Sequence, residues 1–151
     1  MEFIVITNTK NGDIIDFFKQ DTVDGIIHGC NCFCVMGGGV AKDIRVNFPQ
    51  AYAADLNTES GDKNKLGTYS YAVTPFGVVI NAYTQYDMST GQDVVDYDAV
   101  RQVFTNLNER YANKHFAIPK IGAGLARGNW DTIESIINET TPDLELTLIL
   151  L

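Results

Sequence analysis

The apolar residues of this chain fall in short runs whose period changes from one run to the next. Residues 3–7 (FIVIT) are β-branched and predict a strand. Asn11 and Gly12 then mark a turn, and Asp13 stands where it would cap a short helix carrying Ile14, Ile15, Phe17 and Phe18. Residues 25–28 (GIIH) predict a second strand that feeds a glycine-rich loop. Helical spacing follows in Val40, Ile44, Phe48, Tyr52 and Leu56, with a break expected at Pro49. Residues 59–67 (ESGDKNKLG) predict a polar loop. Residues 69–73 and 77–83 predict two strands joined by a tight hairpin at TPFG.

Residues 85–96 are polar and acidic and predict a loop. Residues 97–111 predict an amphipathic helix, with Val100, Val103, Phe104, Leu107 and Tyr111 on one face. Residues 115–119 (HFAIP) predict a buried strand, 130–139 a helix with Trp130, Ile133, Ile136 and Ile137 inward, and 144–151 a closing strand. Six strands largely alternating with helices give an α/β layered sandwich around a mixed sheet. No repeat or linker divides residues 1–151, so one domain is expected.

Hydrophobic residues make up 45% of the chain, enough for a real core. The formal net charge is −8, which excludes non-specific binding to nucleic acid or to an anionic membrane surface. No apolar run reaches the roughly 18–20 residues of a membrane helix, and the first residues lack the features of a secretion signal. A soluble cytoplasmic protein is the expectation. An acidic protein can still bind a phosphorylated small molecule when backbone N–H groups do the binding.

Two glycine-rich segments share one arrangement of apolar strand, glycine loop and helix. They are GIIH–GCNCFCVMGGG–VAKDIRVNF and HFAIP–KIGAGLARGN–WDTIESII. In open α/β sheets ligands bind beyond the carboxyl ends of the strands. Glycines there admit a close backbone approach, and helix starts add positive dipole ends. Two such loops could grip a diphosphate from both sides. Neither matches the dinucleotide fingerprint or the phosphate-binding G-x-x-x-x-G-K-[ST] loop. Taken singly, each is equally well a flexible turn.

Cys30, Cys32 and Cys34 alternate, unlike the paired C-x₂₋₄-C spacing of zinc sites. They predict small semi-buried loop residues, with no metal and no cofactor expected.

NGDI near the start, IIHGCNCFCVMGGGVAKDI, VVINAYTQ, YDAV and IPKIGAGLARGNW together resemble the macro domains, which are ADP-ribose-binding α/β/α modules. The resemblance spans essentially the whole chain. Its H-x-C-N-C segment is similar to the branch containing yeast ADP-ribose 1''-phosphate phosphatase, a branch related to the human terminal ADP-ribose protein glycohydrolase and to bacterial and phage proteins. The resemblance implies a three-layer sandwich and a ligand pose. Asp13 would accept from the adenine amino group with Ile14 beside it, and Asp13 can cap a helix at the same time. Asn31 would stand near the distal ribose. Gly37, Gly38, Gly39 and Val40 would run along the distal ribose and phosphate. Gly122, Ala123, Gly124, Leu125, Ala126 and Arg127 would wrap the diphosphate. The glycohydrolase branch carries an aspartate at the position of Ala126 and a lysine at that of Gln85, so its lysine-adduct route is not available here.

Three functions follow from the resemblance. The leading one is a phosphoric monoester hydrolase converting ADP-ribose 1''-phosphate to ADP-ribose. The others are removal of ADP-ribose from protein or nucleic acid, and a non-enzymatic reader. For the first, His28 is the candidate for acid–base work or phosphate contact, against a satisfied histidine bonded to the backbone. Asn31 would assist. Asp93, with Asp87 and Asp96 nearby, would activate water, against solvated loop charges. Asn81 would position ribose or water, and Arg127 would add charge near phosphate or point into solvent. The expected partner is a small molecule, ADP-ribose or its 1''-phosphate, with nucleic acid only as a modified substrate. The expected state is a monomer.

Overall fold

The computed structural model describes residues 6–20, 23–88, 94–124 and 126–150. Its elements follow in the order β1 (Ile6–Asn11), α1 (Ile14–Gln20), β2 (Gly25–Cys30), α2 (Gly39–Asn47), α3 (Pro49–Leu56), β3 (Tyr69–Thr74), β4 (Gly77–Tyr83), α4 (Tyr97–Arg110), β5 (His115–Ile118), α5 (Trp130–Thr140) and β6 (Glu145–Leu150). They form the three-layer α/β/α sandwich that the resemblance implies.

The six strands lie in the order β1-β6-β5-β2-β4-β3. Every neighbouring pair is parallel except the β3–β4 hairpin. One face of the sheet packs Ile26, Val79, Ala117 and Ile149 against Ile14, Ile15 and Phe18 of α1, Ile44 of α2 and Ala51 of α3. The other packs Ile27, Ile80, Phe116, Ile118, Leu146 and Leu148 against the apolar stripes of α4 and α5. Strands buried on both faces need continuous apolar runs rather than alternation, which is why β2, β5 and β6 read as unbroken IIH, FAI and LTLIL.

Local chemistry sets the boundaries. Asp13 Oδ1 accepts from the Ile15 and Asp16 N–H groups at 2.8 and 3.1 Å and starts α1. Pro49 bars a helical Phe48, which sits at φ −132° and ψ 74°, so the long helical stretch splits into α2 and α3. The hairpin closes on Thr74 opposite Gly77, with Gly77 at φ 141°.

Three expectations need correction. The first strand continues through Asn11 rather than ending near residue 7, because β6 pairs with it that far. Residues 3–5 of the expected strand lie outside the described residues. Leu56, placed inward by spacing, is exposed at the end of α3. The polar loop 59–67 holds a short 3₁₀ turn and a buried lysine, Lys65. Among the described residues no helix is long and apolar enough to cross a membrane.

Candidate functional site

The carboxyl ends of β1, β6, β5 and β2 all emerge on one side of the sheet, because these four strands run parallel. A cleft of about 1260 Å³ opens there. Its walls are the segment from Asn31 to Asp43 on one side and that from Pro119 to Ala126 on the other, and Asn11–Ile14 with Ile149 and Leu150 closes one end.

The first wall is fixed by a network of side chains. Asn31 donates from Nδ2 to the Val35 carbonyl at 2.8 Å and accepts the Phe33 N–H at 2.9 Å, so its amide ties the loop to itself. One Nδ2 hydrogen and one Oδ1 lone pair remain for a ligand. Cys34 takes a left-handed backbone, φ 59°, and its thiol donates to the Asp55 carbonyl at 3.1 Å. Lys65 Nζ donates to the Cys32 carbonyl at 3.0 Å and lies 4.7 Å from the centre of the Tyr83 ring. Tyr83 in turn donates to Asp55 Oδ1 at 2.7 Å. Burial raises the Asp55 pKa, against the Tyr83 hydrogen bond and the Lys65 charge, which lower it. Behind this loop, α2 begins at Gly39 with no side chain capping its first N–H groups. Those donors and the helix dipole face the cleft.

Backbone packing fixes the second wall instead. Gly128 N donates to Gly122 O at 2.7 Å and Arg127 N to Gly124 O at 3.1 Å. Gly122 has φ 74°, and a Cβ there would stand 2.7 Å from Val95 Cγ2 and 3.1 Å from Ile133 Cδ1. Gly124 is open: nothing lies within 4 Å of the position a Cβ would take.

Asp13, Ile14, His28, Asn31, Gly37, Gly38, Gly39, Val40, Gly122, Ala123, Gly124 and Ala126 all line this cleft. Asp93 and Leu125 lie outside the described residues. Three residues do not take the places expected of them. Asn81 is fully buried inside β4, where Nδ2 donates to the Ala51 carbonyl and to Ser70 Oγ, both at 3.0 Å. It fastens α3 to the sheet and does not reach the cleft. Arg127 is exposed at φ 54° and is absent from the cleft wall. Asp96 accepts the Ala99 N–H at 2.9 Å and caps α4.

His28 is 1% exposed. Asn81 spends both its amide donors elsewhere, so its Oδ1 is an acceptor, and His28 Nε2 donates to it at 2.6 Å. Nδ1 is then the unprotonated ring nitrogen, with the Cys30 thiol 3.7 Å away. Burial pushes the His28 pKa down to about 4, the Asn81 hydrogen bond acting weakly against it. The imidazole is therefore neutral near pH 7, with its Nδ1 lone pair a weak base.

The three thiols are free and buried. Burial pushes Cys32 up to about 11 and raises Cys30 well above the usual thiol range, so neither is a thiolate near neutral pH.

Sequence reasoning placed Asp13 and Ile14 in the site but missed Asn11, Ile149 and Leu150 beside them, and the Lys65–Asp55–Tyr83 buttress. The ends of β1 and β6 were legible in principle, because parallel neighbours of β5 must deliver their carboxyl ends to the same side. Lys65 left no signal, since its burial depends on the Cys32 carbonyl brought to it by a distant turn.

No family model matches the chain. A protein of phage T4, described as an uncharacterized 17.5 kDa protein in the tk-vs intergenic region, is 39% identical over 154 residues, covering 96% of each chain. Among solved structures, the macrodomain of Thermus aquaticus DarG superposes with a TM-score of 0.73 at 19% identity, covering 95% of this chain and 97% of that one. Thermosipho africanus DarTG, solved in complex with ADP-ribose, superposes with a TM-score of 0.75 at 15% identity, covering all of this chain and 43% of that one. The chain belongs to one family with the phage T4 protein, and its fold is that of the macrodomains.

Proposed function

We propose that this member of the phage T4 17.5 kDa family binds ADP-ribose in the cleft and hydrolyses ADP-ribose 1''-phosphate to ADP-ribose and phosphate. One observation supports this most. A roughly 1260 Å³ cleft is framed on both sides by glycine-rich main chain and fed by the uncapped start of α2. Main-chain donors can hold a diphosphate without lysine or arginine, which suits a chain of net charge −8. At the closed end Asp13 uses Oδ1 for its helix cap, which leaves Oδ2 to accept from the adenine amino group. Asn31 supplies a donor and an acceptor to the distal ribose.

Water attacks the terminal phosphorus, the bond from phosphorus to the ribose 1''-oxygen breaks, one proton of the attacking water passes to that oxygen, and ADP-ribose and phosphate leave. Phosphoryl transfer passes through a loose transition state and depends chiefly on positioning and charge stabilisation. The start of α2, with Lys42 on its second turn in the cleft wall, supplies both without a proton carrier. His28 holds the floor of the site rather than moving protons. A second reading is a reader that binds without turnover. It is favoured by the burial of His28, which leaves the one imidazole in the cleft wall neutral near pH 7 and only a weak base. The lysine-adduct route is not revived, since Gln85 stands in the lysine's place and donates to the Asp87 carbonyl at 2.8 Å.

Incubation with ADP-ribose 1''-phosphate should release inorganic phosphate, and calorimetry should detect ADP-ribose. Gly124→Glu should abolish both while the melting temperature holds, because that position is exposed and open. Binding without phosphate release leaves the reader; no binding at all removes the cleft from consideration.

A further inference from the structure

We propose that β3 is a self-association edge, at which a second copy of this chain pairs antiparallel through its own β3, centred on Tyr71. The sheet has two edges, β1 and β3. Exposed edge strands invite unwanted pairing, and proteins commonly blunt them with charge. The β1 edge does this with Lys10 among exposed polar residues. The β3 edge, YSYAVT, carries no charge, yet leaves Tyr71 53% and Val73 75% exposed.

The neutrality extends well beyond the strand. Residues 66–86 contain no Asp, Glu, Lys, Arg or His. The helix covering the opposite face of β3 is α3, whose single charge, Asp55, is buried and bonded to Tyr83. Two copies of net charge −8 repel each other broadly, and this is the region where they meet without like charges.

The backbone is also suited to a second copy. Tyr83 N donates to Thr68 O and Gly67 N to Tyr83 O. Alternation along the antiparallel register then makes Ser70–Asn81, Ala72–Val79 and Thr74–Gly77 the hydrogen-bonded pairs. The N–H and C=O groups of Tyr69, Tyr71 and Val73 therefore point to the free edge. Strand alternation also puts these three side chains on one face. A two-fold axis through Tyr71, normal to the sheet, sets Tyr71 opposite its copy and Tyr69 opposite Val73 of the other chain. Every outward N–H then meets an outward C=O, and the exposed side chains share a face. A slip of one residue would oppose groups already bonded to β4. The strand is thus complementary to itself, and the product is one continuous sheet across both copies. The cleft lies over β1, β6, β5 and β2 and takes no residue from β3, so pairing leaves it open.

Analytical ultracentrifugation of the full chain should show a species of twice the monomer mass as concentration rises. Val73→Lys should remain monomeric, and Thr9→Lys on the β1 edge should still dimerise. Both positions are exposed, and melting curves check that both variants fold. Amide exchange adds a register-specific readout. The Tyr71 amide should be protected in the wild-type dimer and lose protection in Val73→Lys, while the Ala72 amide, bonded to β4, stays protected in both. A wild-type chain that is monomeric up to about 0.5 mM would overturn the proposal and leave the edge to a different partner. So would a dimer that survives Val73→Lys, or one whose Tyr71 amide exchanges freely.

Discussion

After β2 the cleft wall is held by side chains: Asn31 stitches the loop, Cys34 reaches Asp55, and Lys65 grips the Cys32 carbonyl. After β5 it is held by the lack of them, since Gly122 and Gly128 bring the backbone against Val95 and Ile133 where no Cβ would fit. The two walls present similar main-chain donors to one cleft, but they should fail differently. A network of hydrogen bonds can lose a member and loosen by degrees. A close-packed glycine turn either fits or does not.

The largest expected effect follows from that difference. Gly122→Val forces a branched side chain into a left-handed backbone and into Val95 and Ile133. It should cost about 3–4 kcal/mol of stability, combining backbone strain with overpacking. Chemical denaturation measures this, and a loss below about 1 kcal/mol would mean the second wall adapts as readily as the first.

Acid should act instead on the floor between the walls, at His28 in β2. The His28 pKa is about 4 in the folded chain against 6.5 in its ordinary environment. The unfolded chain therefore binds the extra proton first, and stability falls as pH drops below about 6.5, levelling off near 4. The full difference is on the order of 3 kcal/mol. Asp55, whose pKa is raised, works in the opposite sense and offsets part of it. Melting temperatures across this range should fall for the wild type and stay flatter for His28→Gln. Parallel curves would show that His28 is not the titrating group.

Asn31→Ala should be the mildest. It removes two hydrogen bonds that brace the loop and should cost about 1–2 kcal/mol. ADP-ribose affinity should fall by more than that stability loss, because the ribose loses a partner as well. Unchanged affinity would make Asn31 a brace alone.

Much of this was legible in the sequence, for a physical reason. Buried strands need β-branched runs and amphipathic helices need spaced apolar residues, so all six strands and the helix break at Pro49 could be read directly. Asp13 was legible because a cap must sit next to the helix it starts. Asn81 was misplaced because a polar residue inside a strand looks the same whether it faces a cleft or fastens a helix. The state of His28 was not legible for a related cause: it depends on burial in the folded chain and on Asn81, 53 residues away along the chain. Lys65 looked like a loop charge, and only the folded chain brings it a carbonyl and an aromatic face.

The pairing of β1 with β6 joins Ile6–Asn11 to Glu145–Leu150. On the ribosome, β1 must wait until β6 is synthesised before its neighbour exists, on the order of ten seconds later. Because Asn11, Ile149 and Leu150 also close one end of the cleft, nascent chains should stay incompetent for ligand until that last strand emerges.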